Sequence, residues 1–190
     1  MRGGSTLNSS LTLTRGLRPP AFKEDLKMYL TEDYKIVPMF SGYDLSTHDT
    51  LMTSDSINMK NYHHATLLVQ FDDIGVASPI LYVHVGATDG ALTSALTFNY
   101  AWGSAAAQAA TADVLGAWAT SAALTITHGT YDNFLLVIEV PASQMTAAGN
   151  TYDWLTVNFT DPTTGCTGQV TITAILKPRY KSNVSPTALA

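Results

Sequence analysis

Apolar and polar residues alternate one by one between Tyr152 and Leu176, with a turn in the middle of the segment. The apolar positions of the two halves are Leu155, Val157, Phe159, Val170, Ile172 and Ala174. Successive side chains of a strand point to opposite faces, so each half predicts a strand with an apolar row inward and a Thr, Asn or Gln row outward. The turn at Asp161–Gly165 then predicts a β-hairpin or strand pair from a half-buried antiparallel sheet.

The same alternation predicts strands in several other segments. Ala65–Phe71 places its large apolar residues on one face, whereas Ile80–Gly86 is apolar on both faces and is typical of a central strand. Phe134–Val140 is apolar at almost every position, which predicts that both of its faces are covered. Tyr34–Phe40 is a further predicted strand, and Pro38 places it at a sheet edge because proline cannot donate a ladder hydrogen bond.

These segments add up to about nine or ten short strands, separated by turn signals, with no helical layer between them. The sequence therefore predicts an all-β fold, an antiparallel β-sandwich. Long connections at 44–55 and 103–113 favour a jelly roll or related Greek-key topology over an up-and-down barrel. The alanine-rich stretch Gly103–Asp113 fits either a helix, by propensity, or a surface excursion. Pro141–Asn150 is a predicted connection with room for one helical turn.

The two ends of the chain differ from this body. Residues 1–33 are predicted to form an extended N-terminal arm with a possible short helix at Phe22–Leu30, residues 34–180 the sandwich domain, and residues 181–190 a C-terminal tail. Residues 1–30 contain five cations and two acidic residues and so have a net charge of +3. The remaining residues must therefore have a net charge of −8 to give the −5 of the whole chain. So few cations would bind nucleic acid only weakly, and we do not predict a nucleic-acid site.

Composition favours a protein that is covered by neighbours. Charged residues make up only 13% of the chain and hydrophobic residues 46%. Dispersed charge opposes association, so a sparsely charged, threonine-rich surface suggests subunit contacts. The N-terminus lacks the apolar segment of a signal peptide, and no apolar run is long enough for a membrane span, so we expect synthesis in a cytosol and no membrane partner.

Candidate chemical residues have ordinary interpretations. His63 and His64 are adjacent, so in a strand they point to opposite faces, and we interpret them as turn or edge histidines. His84 lies in an apolar strand and is interpreted as a hydrogen-bonded core or interface histidine. The aspartates Asp72, Asp73 and Asp161 are interpreted as turn residues, because Asp side chains bond to nearby backbone N–H groups.

No spacing typical of catalysis is present: the chain lacks a nucleophile elbow, a phosphate loop and a paired-carboxylate arrangement. The single cysteine, Cys166, is interpreted as an inert thiol in a turn. We therefore predict that the protein is not an enzyme and has no catalytic, cofactor-binding or metal-ligating residues. Trp102, Trp118 and Trp154 could line a sugar-binding face, but aromatic rings more often fill a core or a subunit interface.

Several short motifs resemble a set of small virion structural proteins of tailed bacteriophages. They include Tyr-x-Trp-Leu-x-Val from Tyr152, the Thr160-Asp161-Pro162 turn, and the run from Val170 to Leu176 that continues into Lys177-Pro178-Arg179-Tyr180. Upstream, the same resemblance includes Asp44-Leu45-Ser46, Met59-Lys60-Asn61-Tyr62 and Phe134–Val140, so that it covers roughly residues 34–190. Residues 1–30 have no clear counterpart.

The resemblance implies a β-sandwich or jelly-roll accessory of the phage head, a capsid decoration or cement protein, often a homotrimer. Its implied partners are copies of itself and the major capsid protein of the shell, and its location is the virion. Two alternatives stay open. One is a glycan- or receptor-binding virion module, and the other is a jelly-roll capsid protein that forms the shell itself.

Overall fold

The computed structural model describes residues 29–47, 51–149, 151–160, 165–184 and 186–189. The strands, in chain order, are β1 Lys35–Asp44, β2 Met52–Thr53, β3 Ile57–Asn58, β4 Tyr62–Phe71, β5 Ile80–Gly86, β6 Ser94–Ala95, β7 Phe98–Trp102, β8 Ala119–Ser121, β9 Leu124–Thr125, β10 Leu135–Pro141, β11 Trp154–Thr160 and β12 Gln169–Pro178. Two short α-helices, α1 Leu30–Asp33 and α2 Ala142–Ala148, and two 3₁₀ turns, Leu45–Thr47 and Lys181–Val184, complete the described elements.

The strands form two antiparallel sheets. Sheet A has the order β1-β12-β4-β10-β7-β8, and sheet B has the order β2-β11-β5-β6, with β3 beside β11 and β9 beside β5. Their inner faces share one hydrophobic core that draws residues from both sheets. The predicted all-β antiparallel sandwich is confirmed. Most consecutive strands lie in different sheets, as in Greek-key arrangements.

Alternation along the strands explains which side chains fill the core. In β4, Leu67, Val69 and Phe71 are buried, while the residues between them face outward. β12 repeats this pattern, with Ile172 and Leu176 among its inward residues. Burial of these apolar rows drives the two sheets together, at about 25 cal/mol for each Å² of apolar surface removed from water.

The predicted hairpin between Tyr152 and Leu176 is wrong. β11 and β12 are both strands, but β11 lies in sheet B and β12 in sheet A, so they do not pair. Alternation tells which face of a strand is apolar and leaves the partner strand open. The outward row of β11 is also not exposed, because Thr156 and Asn158 are buried.

Other strand predictions hold with shifted ends. β1 is an edge strand with a register shift after Pro38, and β5 lies between β11 and the short strands at the far edge of sheet B. β10 has strands on both sides, and Leu136, Ile138 and Val140 on its inner face are buried, as is Val137 on its outer face.

The structure decides the conformation of two connections that the sequence left open. The stretch 103–113 forms turns at the surface rather than a helix, and a bridge between Gly103 and Leu115 closes its base. The connection after β10 holds the helix α2, which has seven residues and so about two turns rather than one. The helix predicted at Phe22–Leu30, like most of the arm, falls outside the described residues. In the C-terminal segment, Ala188 is buried, and its carbonyl accepts a hydrogen bond from the backbone N–H of Asn58.

Candidate contact surface

The outer face of sheet A is broad and its side chains line up in rows across the strands. One row runs Ile36, Ile175, Thr66, Glu139 and Asn99, because these residues are cross-strand partners from β1 to β7. The next row along the strands consists of Pro38, Thr173, Leu68, Val137 and Ala101. Both rows mix aliphatic and short polar side chains, with one carboxylate among them.

The part of this face over β1, β12 and β4 is open to solvent. Val137 and Ala101 are buried although they point outward, so the chain itself covers these positions of β10 and β7. The rest, which we name the exposed strip, consists of the exposed residues Ile36 and Pro38 and the half-buried residues Leu68, Thr173 and Ile175. An open patch of aliphatic and threonine side chains is a surface that another protein can cover at little desolvation cost.

A carboxylate–histidine pair, Glu139 with His64, lies beside the exposed strip. The Thr66 hydroxyl donates to both carboxylate oxygens of Glu139, at 3.1 and 3.0 Å, and His64 Nε2 contacts the same carboxylate. The Thr66 hydroxyl and the His64 ring thus contact the same carboxylate, and the three side chains form one hydrogen-bonded group.

A shallow recess borders this pair. His64, Asn99, Trp118 and Glu139 line a space of about 380 Å³. Trp118 comes just before β8, whose Thr120 pairs with Asn99, and its side chain is 51% exposed. The recess therefore combines an open indole ring with a carboxylate, an amide and an imidazole.

One end of sheet A gathers the cations of the body. Of the ten lysines and arginines in the chain, five lie in residues 1–28 and the other five at this end, which we name the basic end: Lys35, Lys60, Lys177, Arg179 and Lys181. Lys35 begins β1, and Lys177 lies near the end of β12, opposite His64. Lys181 Nζ lies 3.6 Å from Asp33 Oδ1.

The basic end is held in place by backbone contacts. Arg179 donates from Nε to the Tyr62 carbonyl at 3.2 Å, and its N–H donates to the Asn61 carbonyl at 2.9 Å. Burial raises the pKa of the Tyr62 phenol at the start of β4. The helix α1 directly precedes β1 at this end of the sheet.

The opposite end of sheet A is acidic. Asp44 ends β1 and pairs with Gln169, whose carbonyl accepts from the Asp72 N–H, and Asp132 Oδ1 accepts from the Ile74 N–H at 3.1 Å. Hydrogen bonds from the Ser46 side chain and backbone lower the pKa of Asp44. Sheet A thus has basic side chains at one end of its strands and acidic side chains at the other.

The outer face of sheet B differs from that of sheet A, because its polar side chains form hydrogen bonds within the chain. Ser56 Oγ lies 2.8 Å from Thr156 Oγ1 and accepts from the Gly90 N–H at 3.0 Å. On the neighbouring strand, His84 Nδ1 lies 2.5 Å from Asn158 Oδ1. Thr156 is 0% and Asn158 2% exposed, so loops cover this face.

The histidine predictions have mixed outcomes. His64 and His63 do not lie in a turn or at a sheet edge: β4 runs between β12 and β10, and a register shift at its start falls at His63. That part of the prediction is wrong, because a bulge and an interior strand are not visible in a two-residue pattern. The hydrogen-bonded histidine predicted at position 84 is confirmed by its contact with Asn158.

The other candidate residues are placed as follows. Cys166 is buried, and Asp72 and Asp73 lie in the exposed connection after β4, while Asp161 falls outside the described residues. Among the side chains that the structure describes, no group of three His, Cys, Asp or Glu residues could hold a metal ion. No helix within the described ranges is long and apolar enough to cross a membrane.

The three tryptophans do not share a sugar-binding face. Trp102 packs against the core and stacks on Tyr131, with ring centroids 3.9 Å apart and an interplanar angle of 4°. Trp154 lies on the outer face of sheet B, opposite Gly86, and Trp118 alone lies on the recess of sheet A. Glu139 is a glutamate in an otherwise apolar strand, and this is the signal in the sequence that could have marked it as part of a surface site.

Comparisons with known proteins give one weak likeness. No protein-family model matches the chain, and no curated protein is significantly similar to it. The structure is similar to the crystal structure of the SPBc2 prophage-derived protein YomS, with a TM-score of 0.42 and 10% sequence identity, over 76% of this chain and 92% of that one.

Proposed function

We propose that this protein is a structural protein of a tailed-bacteriophage virion, made in the host cytoplasm, and that it decorates the head shell as a cement protein. The observation that carries the proposal is the exposed strip of sheet A. Its aliphatic and threonine side chains suit burial against another protein, because no ionised group has to lose its water. The partner that we propose for this strip is the major capsid protein of the shell.

The basic end gives the proposed docking a direction. Five cations of the chain lie there, and residues 1–28, which precede α1 in the sequence, carry five more. An acidic shell surface would attract this end and orient the protein before the strip is buried. Attachment should therefore weaken as salt screens the charges, with a Debye length of about 8 Å at physiological ionic strength.

The proposal assigns the protein no chemical step. A cement protein stabilises a shell by binding the assembled state and not the free subunits, so its effect follows from mass action. Multiple attachment points strengthen such binding, and we propose a homotrimer that presents three strips and three arms.

The test uses heads from a phage in which the gene is deleted, incubated with the purified full-length protein. We expect the protein to co-sediment with the heads, to appear on their outer surface in electron micrographs, and to have a trimer mass in solution. Reversing three charges of the basic end (Lys177→Glu, Arg179→Glu and Lys181→Glu) should weaken attachment about tenfold or more. Deleting residues 1–28 should weaken it likewise.

A matched control reverses charge at the acidic end. The double variant Asp72→Lys with Asp73→Lys should attach at least as well as the unmodified protein, because it adds cations without touching the strip. A folded protein that stays unbound, or attachment that is indifferent to all of these variants, would overturn the proposal. If the purified chain assembles into closed particles by itself, it is a shell-forming capsid protein instead.

A further inference from the structure

The residues that line the recess beside Trp118 have no part in the proposed contact with the shell. Cross-strand pairing places Glu139 beside Asn99, and Asn99 beside Thr120, so this corner of sheet A is built from β10, β7 and β8. Trp118 borders it two residues before Thr120. Three strands and the residue that leads into β8 thus converge on one small space.

The exposed indole ring is the first indication of a ligand. Tryptophan is highly buried on average, and burying its large ring is among the strongest contributions that a side chain makes. Trp118 leaves 51% of its surface in water, whereas Trp102 stacks on Tyr131 against the core. The open ring therefore offers apolar area that a ligand could cover.

The polar groups of the recess set the chemistry of that ligand. The Glu139 carboxylate accepts from Thr66 and contacts His64, which leaves some of its roughly four lone-pair sites available. The exposed amide of Asn99 supplies both a donor and an acceptor. A ligand with several hydroxyl groups would match this set.

Other ligand classes fit less well. The lining contains a carboxylate and no lysine or arginine, which disfavours phosphates and other anions. Within the described residues it also lacks the three ligands that a metal ion needs. At about 380 Å³ the recess lies near the lower limit of small-molecule sites, with room for about one or two sugar rings.

We propose that the Trp118 recess binds a neutral pyranose sugar, such as the terminal residue of a glycan. One face of a pyranose ring carries C–H groups, which pack on the negative face of an indole ring. Its hydroxyl groups would donate to Glu139 and exchange hydrogen bonds with Asn99. This inference goes beyond the proposed function and does not depend on it, because it concerns the isolated protein.

The test titrates the purified full-length protein with methyl glycosides of glucose, galactose and N-acetylglucosamine, and follows the indole N–H signals in ¹H–¹⁵N NMR spectra. We expect the Trp118 signal to shift with a Kd of about 1 mM for at least one sugar, as is reasonable for a small open site. The signal of Trp154, on the other sheet, should stay in place.

Two variants locate the site. Trp118→Ala should weaken binding about tenfold or more, and Glu139→Gln several-fold, with both proteins showing an unchanged circular dichroism spectrum. Trp154→Ala is the matched control and should bind like the unmodified protein. No shift with any of the sugars up to ~50 mM, equal binding by Trp118→Ala, or tighter binding of nucleosides than of sugars would each overturn the proposal.

Discussion

The outer faces of the two sheets carry similar residue types, but these residues are buried on sheet B and partly exposed on sheet A. On sheet B, Ser56, Thr156 and Asn158 are buried and hydrogen-bonded to neighbours within the chain. On sheet A, Thr173 and Ile175 occupy comparable central positions and are only half-buried. A threonine in the pattern of a strand can therefore belong to a closed polar layer or to an open contact surface.

The difference comes from the loops. Gly90 reaches over sheet B to donate its N–H to Ser56, and Gly86 lies so close to Ala91 that a β-carbon there would come within 2.3 Å of the Ala91 side chain. Among the described residues of sheet A, Ile36 and Pro38 are exposed and Thr173 and Ile175 are half-buried, so the cover over this part of the sheet is incomplete. The sheet that is already covered by its own chain has less to offer a partner, which is why we assign contact to sheet A.

A lysine placed on each face should reveal the largest difference between the two sheets. Thr156→Lys would bury an ammonium group in the closed layer, and we expect a loss of about 4 kcal/mol or more in the free energy of unfolding. Thr173→Lys keeps its charge in water and should change stability by no more than about 0.5–1 kcal/mol. Urea unfolding followed by circular dichroism measures both. Equal tolerance of the two lysines would mean that sheet B is open in solution.

A smaller substitution tests the packing of the loop that covers sheet B. Gly86→Ala forces the new methyl group against Ala91, and overpacking of this kind costs about 1–3 kcal/mol. Gly116→Ala is the control, because its nearest neighbour is the Trp102 carbonyl at an ordinary 3.4 Å and we expect a change within about 0.5 kcal/mol. Adding Ala91→Gly to Gly86→Ala should restore part of the loss. If it restores none, the clash with Ala91 is not the cause.

The sequence predicted the strands better than their partners. β5 and β10 were recognisable because apolar residues occupy both of their faces, and the inward rows of β4 and β12 because their period is two. The same period could not tell that β11 and β12 belong to different sheets, since it carries no information on pairing.

The surface features were harder to predict, because they depend on contacts between distant residues. His64 and Glu139 are 75 residues apart and meet only through the register of β4 with β10. Thr156 looked like an outward, solvated residue because its cover comes from Ser56, which is 100 residues away. The excess of cations in residues 1–30 was visible in the sequence, whereas the basic end was not, because its five cations lie between positions 35 and 181 and meet only in the folded sheet.

The smallest difference that we expect between the two faces is the contribution of a single hydroxyl group to the free energy of unfolding. Thr156→Val keeps the shape of the side chain and removes its bond to Ser56, so we expect a loss of about 1 kcal/mol in unfolding free energy. Thr173→Val should be neutral within about 0.5 kcal/mol or slightly stabilising, because valine favours strands. A double-mutant cycle of Thr156→Val with Ser56→Ala isolates the bond, and its coupling energy should be of similar size. If the cycle gives no coupling, the two hydroxyl groups bond to water instead, and sheet B is then as open to a partner as sheet A.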